Sequence, residues 1–577
     1  MRNAILFSVG FILVVTAVSI QAQRGAPAGR PPLGDAQIGD IARLLMLEDT
    51  RQFDEASLAR LLASAHPEIR RRAALAIGRI ADKRGAALLT AAADDKDAEV
   101  AATMVFAIGQ LRDPSSVTWL SDVLSSPKTP TASAREAAIA LGKIQAPEAR
   151  AALARYLSTA PRTKQSAPVA GEALLSIGRF PPGGDLAPIV RWTSSPDVEV
   201  RWRAAWALFR SRDPAAIPHL LRLSRDPSGD VRFWAVRGLL PPAPATVGQA
   251  GAPAQVPPPP GVDGSPLSAR LRDATRDPDR RVRTEALRAL KEYGDDASFG
   301  VLIAALESPD TWLSVSAAEA MARYQGRSDV VVPALVRAAA PSKPMALRIT
   351  ALTPLVALAP DAALELAGAL ARDSSVVART AARQAFGRLG APGRAQLDAL
   401  IAEGVLPAAS AARPARAAAP SRTEADYRRI VERWIVPDYN GAPKPRAVWE
   451  TPRGTIELEL YPGDAPLGVE HFLRVVESGE IAGTEFGRVV PNFVAQQRAI
   501  RDDITLRDEV SRRGLTRGNL SWASAGLDTG RPGYTLGVTP QPHNEGNFTA
   551  LGRVVSGMAV VERLELGDKI IAARMKR

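Results

Sequence analysis

Two hydrophobic rhythms divide the chain. Over roughly its first two thirds, apolar residues return at three- and four-residue intervals, the spacing of one helix face, and the runs are separated by turns often marked Asp-Pro or Ser-Pro. The runs are also copies of one another. Glu68-Ile-Arg-Arg-Arg-Ala-Ala-Leu-Ala-Ile-Gly78, Glu199-Val-Arg-Trp-Arg-Ala-Ala-Trp-Ala-Leu-Phe209 and Arg281-Val-Arg-Thr-Glu-Ala-Leu-Arg-Ala-Leu share one template. The slot held by Gly78 recurs at Gly109, Gly142, Gly178, Phe209, Leu240, Lys291, Ala322, Val356 and Gly387, in steps of 31, 33, 36, 31, 31, 51, 31, 34 and 31 residues. The long step holds Pro241 to Pro260, a Pro/Ala/Gly tract that cannot be helical, so 241–262 is predicted to be a loop inserted into a regular array. Each unit reads as two helices that can bury their apolar faces only against neighbouring units, which predicts an all-α solenoid of ten repeats over 35–403.

Beyond Gly404 the helical rhythm stops. Residues 404–445 read as a linker, a semi-flexible tether followed by a short helix from Glu424 to Ile435. From 446 to 577 the period changes. Thr455-Ile-Glu-Leu-Glu-Leu460 alternates apolar and charged residues after the turn Pro452-Arg453-Gly454, a half-buried strand of a hairpin. Pro466 opens a helix running to about Ser478, with Val469, Phe472, Leu473 and Val476 on one face.

Composition narrows the chemistry. With 577 residues, 46% hydrophobic and 23% charged, the chain is of ordinary globular make-up and too long for one domain, which excludes a wholly disordered or multi-span membrane protein. It has no cysteine, hence no disulfide, thiolate metal site or cysteine nucleophile. Its four histidines, His66, His219, His471 and His543, lie far apart, and neither a metal nor any other cofactor is expected. At the N-terminus, Arg2 precedes an apolar run from Ala4 to Ile20 that ends at Gln21-Ala22-Gln23. This predicts a signal peptide over 1–22 and an exported protein, periplasmic or extracellular, with an uncleaved membrane anchor as the alternative. The net charge of +12 owes much to the repeats. Arg70, Arg201, Arg232, Arg283, Arg348 and Arg379 share one slot, where a guanidinium can hold carboxylates or carbonyls of the preceding repeat. In an exported chain without a nucleic-acid motif, that charge is structural and no nucleic-acid partner is expected.

The repeated array resembles the HEAT repeats, which implies a scaffold for protein partners. Trp202 and Trp206 lie about 200° and 240° around their helix from Val200, and Phe233 takes the position of Trp202 in the next repeat. They either pack between repeats or form an aromatic patch for a protein partner on the concave side.

The last quarter carries a second resemblance. Thr451-Pro-Arg-Gly-Thr-Ile-Glu-Leu-Glu-Leu-Tyr-Pro-Gly-Asp-Ala-Pro, Gly483-Thr-Glu-Phe-Gly-Arg-Val-Val-Pro-Asn-Phe-Val-Ala-Gln496, Arg517-Gly-Asn-Leu-Ser-Trp-Ala-Ser-Ala-Gly526 and Pro542-His-Asn-Glu-Gly-Asn-Phe-Thr-Ala-Leu-Gly are similar to the ordered motifs of the cyclophilins. The resemblance implies a closed eight-stranded β-barrel with capping helices and peptidyl-prolyl cis-trans isomerase activity. It puts Arg488 on the family's catalytic arginine, Phe493 on the floor of the proline pocket, and Gln496 on a glutamine that bonds the substrate backbone. Ala523, Ser524 and Ala525 fall beside the pocket of the preceding residue. His543 falls on the rim, Val494 takes the place of a common methionine, and Phe548 adds apolar lining. Gly487 replaces the family's histidine before the arginine, and Gly533 and Thr535 replace a second pocket glutamine and the pocket phenylalanine.

Together these readings describe an exported prolyl isomerase that assists protein folding, with proline-containing polypeptides as clients and the solenoid as client- or partner-binding scaffold. The departures at Gly533 and Thr535 keep an alternative open, a non-catalytic scaffold whose barrel binds proline peptides.

Overall fold

A computed structural model describes residues 29–240, 264–408, 422–498, 500 and 505–576. The expected signal segment, the inserted loop 241–262 and tether residues 409–421 lie outside them.

Among the described residues ten helix pairs follow one another, their second helices running from Pro67–Ile80 in the first to Val376–Arg388 in the tenth. Polar turns start these helices: Asp97 accepts from the Glu99 and Val100 amides, Asp197 from Glu199 and Asp279 from Arg281, at 2.8–3.1 Å. The repeat glycine lets successive second helices touch, since a Cβ on Gly109 would sit 2.8 Å from the Ala140 Cα. The repeated arginine works differently from expectation. Arg70 donates to Asp95 at 2.5 and 2.8 Å, and Arg232 to Asp277 at 2.8 Å through two nitrogens. These carboxylates belong to the following repeat, because the side chain leans toward its own helix N-terminus, where the next polar turn is stacked. Carbonyls of its own turn, Ser64 and Ala65 for Arg70, complete the fork.

The aromatic cluster is interior. Trp202, Trp206 and Phe233 are 6%, 1% and 1% exposed and pack around Trp234, against which Trp202 stacks and Trp206 stands edge-on. The expected partner patch at these three residues is therefore corrected to packing between repeats, since their rings are spent on one another.

The C-terminal unit is one antiparallel sheet of eight strands: β1 Arg446–Thr451, β2 Gly454–Leu460, β3 Phe486–Val490, β4 Val494–Gln497, β5 Asn519–Ala523, β6 Arg531–Gly537, β7 Gly552–Ser556 and β8 Ala572–Met575. Their order is β3-β4-β6-β5-β7-β2-β1-β8. The expected closed barrel is a curled half-barrel. The chain flanking the two edge strands meets through the Phe486 amide on the Asp568 carbonyl (2.8 Å) and the Ile570 amide on Thr484 (2.9 Å), because short β8 ladders only with β1. The Pro466–Glu477 helix fills the curl, laying Phe472 on Trp449 and edge-on to Tyr534. The other helix of this unit among the described residues is a single turn, Met558–Val561.

This unit does not hang from a tether. It lies against the second helices of the solenoid from the first repeat to the last. Arg79, with its side chain 2% exposed, donates to the carbonyls of Val510 (2.9 Å), Asp464 (2.5 Å) and Glu509 (3.2 Å) while holding Glu48 at 2.6 Å. Arg51 pairs with Asp528. At the far end, buried Glu485 accepts from the Val376 and Val377 amides and the Ser375 hydroxyl, so the sheet supplies the anion for the N-terminus of the tenth repeat's second helix. Residues 422–439 return to the helix Asp35–Thr50 ahead of the first repeat, where Tyr427 and Arg422 both hold Asp49, at 2.7 and 2.6 Å.

Removing a buried guanidinium that serves three carbonyls and a carboxylate leaves all of them unpaired. Arg79→Ala should therefore cost about 3–5 kcal/mol in urea unfolding of the full chain, with incomplete rescue by Arg79→Lys, whose ammonium lacks the fork.

Glu509 gives a pH test. Its carboxylate accepts from the Leu467 and Gly468 amides, yet burial pushes its pKa up to about 7. The folded state then keeps a proton that the unfolded chain, with a carboxyl near 4.5, has released. This contribution is fully present below about pH 4.5 and is lost as pH rises toward 7. Relative to Glu509→Gln, wild-type melting temperature should fall across that window, and parallel curves would show that Glu509 does not titrate there.

Candidate active site

Strand pairing builds the site. Register sets Arg488 of β3 opposite Gln496 of β4, Gln496 opposite Thr535 of β6, and Thr535 opposite Ser521 of β5. Directly paired residues of an antiparallel ladder face the same side, so these four form one rung across four strands. Their neighbours Ala495, Leu536 and Leu520 point inward and are fully buried. Contacts run along the rung: Arg488 Nη1 donates to Gln496 Oε1 at 3.4 Å, and the Thr535 and Ser521 hydroxyls are 2.7 Å apart. Arg488 is exposed, and Gln496 and Thr535 are half-buried.

Phe493 closes one end. It follows Asn492, whose φ of 61° turns the β3–β4 hairpin back on itself, and its half-buried ring lies 5.4 Å from the Arg488 guanidinium carbon. His543 stacks on that ring with centroids 5.8 Å apart and planes at 26°. The imidazole keeps an open edge, but surrounding protein and the charges of Arg210, Arg237 and Arg179 hold its pKa down to about 4.

The remaining expected residues are placed unevenly. Val494 is on the face of Gln496 but only 3% exposed, so it underlies the groove instead of lining it. Ala523 ends β5 beyond a register shift that pairs it with Arg531, leaving Gly533 in a bulge. Ser524 and the exposed Ala525 belong to a loop drawn together by Thr529, which accepts from the Ala525 amide at 2.9 Å and lies 3.1 Å from the Ser524 hydroxyl. Phe548 is half-buried, and among the described residues it makes no ring contact with Phe493. Arg488, Phe493, Gln496, Thr535 and His543 are thus brought together, while 523–525 stand beside them.

Sequence reasoning missed the solenoid's share. Arg288 donates to the Pro491 carbonyl at 3.0 Å, and Asn492 donates to the Arg281 carbonyl and Glu285 at 3.0 and 2.9 Å. Arg179 holds the Pro542 and Glu545 carbonyls at 2.6 and 3.3 Å. Both loops that carry the aromatic pair are therefore fixed from outside the sheet. The available signal was a second basic row one residue after the glycine slot: Arg79, Lys143, Arg179 and Arg210. Lys143 is buried at the same seam, its pKa lowered by burial and by Arg179.

Comparison with known proteins finds matches to both parts of the chain. Residues 447–576 match the family model for cyclophilin type peptidyl-prolyl cis-trans isomerase/CLD, and HEAT repeats match over 55–134, 86–167, 160–240 and 268–351. A peptidyl-prolyl cis-trans isomerase of Synechococcus elongatus is 31% identical over 138 residues, 22% of this chain and 95% of the relative. Peptidyl-prolyl cis-trans isomerase B of Bacillus subtilis is 34% identical over 129 residues, 21% of this chain and 90% of the relative. A solved cyclophilin type peptidyl-prolyl cis-trans isomerase of Cryptosporidium parvum aligns with 23% of this chain and 98% of its own, at 19% identity and a TM-score of 0.22. The chain belongs to the cyclophilin-type peptidyl-prolyl cis-trans isomerases, with a HEAT-repeat array ahead of the isomerase domain.

With His543 neutral above about pH 4, no group of the rung changes charge near neutrality. Turnover of a short proline peptide (kcat/KM) should follow the same pH dependence in the wild type and in His543→Gln from about pH 5.5 to 8, and an inflection near 6.5 present only in the wild type would show an ordinary, solvated His543.

Proposed function

We propose that the protein is an exported prolyl isomerase that assists folding, working on proline-containing segments in the groove over the Arg488–Gln496–Thr535 rung, with the solenoid as the frame that presents clients. The N-terminal Arg2 and the apolar run to Ile20 support export. The observation that carries the catalytic reading is the convergence of Arg488, Gln496 and the Phe493 ring on one open face.

Rotation about a prolyl bond crosses a barrier of about 18–20 kcal/mol set by amide resonance. Resonance is lost in the twisted state, and the nitrogen regains its lone pair. Arg488 presents a permanently charged donor that can bond that lone pair, an interaction absent from the planar ground state. Phe493 offers an apolar face for the ring and Gln496 a polar end for the neighbouring backbone. Ala523 to Ala525 border the preceding residue, with Val494 below and Phe548 at the margin.

One observation favours the alternative of a binding domain with little catalysis. The Thr535–Ser521 hydroxyl pair sits on the groove floor where the family carries a pocket phenylalanine. The Arg488 test separates the two. Arg488→Ala should lower the isomerisation rate of a short proline peptide about 100-fold, a cost of roughly 3 kcal/mol, with peptide affinity changed much less. Arg488→Lys should rescue poorly. An active wild type indifferent to the substitution would remove Arg488 from the mechanism, and an inactive wild type that still binds the peptide would establish the binding reading.

A further inference from the structure

The solenoid does more at the groove than hold its loops. The helix Ala167–Ile177, through Arg179 just beyond its end, fixes the loop of His543, and the helix Arg280–Leu290 fixes the loop of Phe493. Between these two in the stack lie the helices Val198–Ser211 and Gly229–Arg237. Their last turns carry Arg210 and Arg237, both half-buried: Arg210 donates to the carbonyl of Gly178, the residue before Arg179, and Arg237 meets Glu285, which holds Asn492 next to Phe493.

These two guanidiniums are poorly neutralised. Arg210 follows Arg79, Lys143 and Arg179 in the basic row, but it donates only to the Gly178 carbonyl, at 3.3 Å, and rests on the Trp206 ring. Among the described residues it has no carboxylate partner and its near charges are Arg212 and Arg237. Arg237 meets Glu285 at 3.8 Å, but Glu285 already accepts from Asn492 and lies 3.6 Å from Arg288. A helix C-terminus favours one cation in its last turn, which does not account for like charges from adjacent helices converging on a single carboxylate that is already shared. Such a cluster at the mouth of a cleft focuses positive potential into it.

We propose that Arg210 and Arg237 form an outer wall of the prolyl groove that recognises an acidic side chain close to the client proline, so that a repeat array sets the sequence preference of the isomerase domain. Client segments with Asp or Glu one or two residues from the proline would gain a charge-assisted hydrogen bond, and segments with Lys there would be repelled. The proposal rests on the groove assigned above as the place where the prolyl ring binds.

The test uses the full-length chain and fluorescent peptides with one Ala-Pro core and Glu, Gln or Lys two residues before or after the proline, read by anisotropy for Kd and by exchange NMR for isomerisation. In the wild type, one of the Glu peptides should bind about tenfold tighter than its Lys counterpart, the Gln peptide should fall between, and the difference should shrink with added salt. Arg210→Gln with Arg237→Gln should bring the ratio to within about twofold, and Arg210→Lys with Arg237→Lys should keep most of it. Equal wild-type affinities for all peptides, or a preference that survives the double Gln variant, would overturn the proposal. Isomerisation without charge preference sinks the proposal alone, binding with charge preference but without isomerisation sinks the catalytic reading alone, and peptides that neither bind nor turn over sink both.

Discussion

The architecture depends on guanidiniums that leave solvent to hold backbone carbonyls of the isomerase domain. Arg79 and Arg179 place rigid donor forks against three and two main-chain oxygens, and Arg288 adds a single bond to the Pro491 carbonyl. Carbonyl acceptors make the contact indifferent to most side chains of the domain but demanding of its loop geometry. A buried guanidinium is costly unless all of its donors are met, so a loop that shifts by an ångström loses more than one hydrogen bond. Repeat spacing is thereby coupled to loop position: the stack of second helices fixes where the forks stand, and the forks fix where the loops can be.

Much of this was legible in the sequence. The repeats show because ten copies of one template leave a period that noise cannot mimic, and because alanine and glycine at the helix contacts have a plain steric reason. The isomerase domain shows through the strand alternation at Ile456 to Leu460 and through the ordered motifs. Docking did not show. Arg70 and Arg79 lie nine residues apart on one helix, and composition does not reveal that one closes a repeat-to-repeat clamp while the other is sealed under a second domain. The tether is polar and Pro/Ala-rich, which suggested independence, while the surface that does the docking is spread over helix ends too dispersed to form an apolar stripe. The bulge at Gly533 and the burial of Val494 were hidden for a related reason: both follow from strand register, which motif spacing alone does not determine.

The clamp and the groove also divide the work between them. Loops that bind ligands are ordinarily the mobile part of a fold, and ordering them on binding draws on the interaction energy. Here the hairpin turn with Phe493 and the loop with His543 are ordered by Arg288, Glu285 and Arg179 before any peptide arrives. Arg488 is left out of that clamp. It stands exposed on β3, bonded along the rung to Gln496 at 3.4 Å. Under the proposed mechanism, a fixed aromatic face at Phe493 and an exposed charged donor suit a reaction in which the ring stays put and the amide rotates.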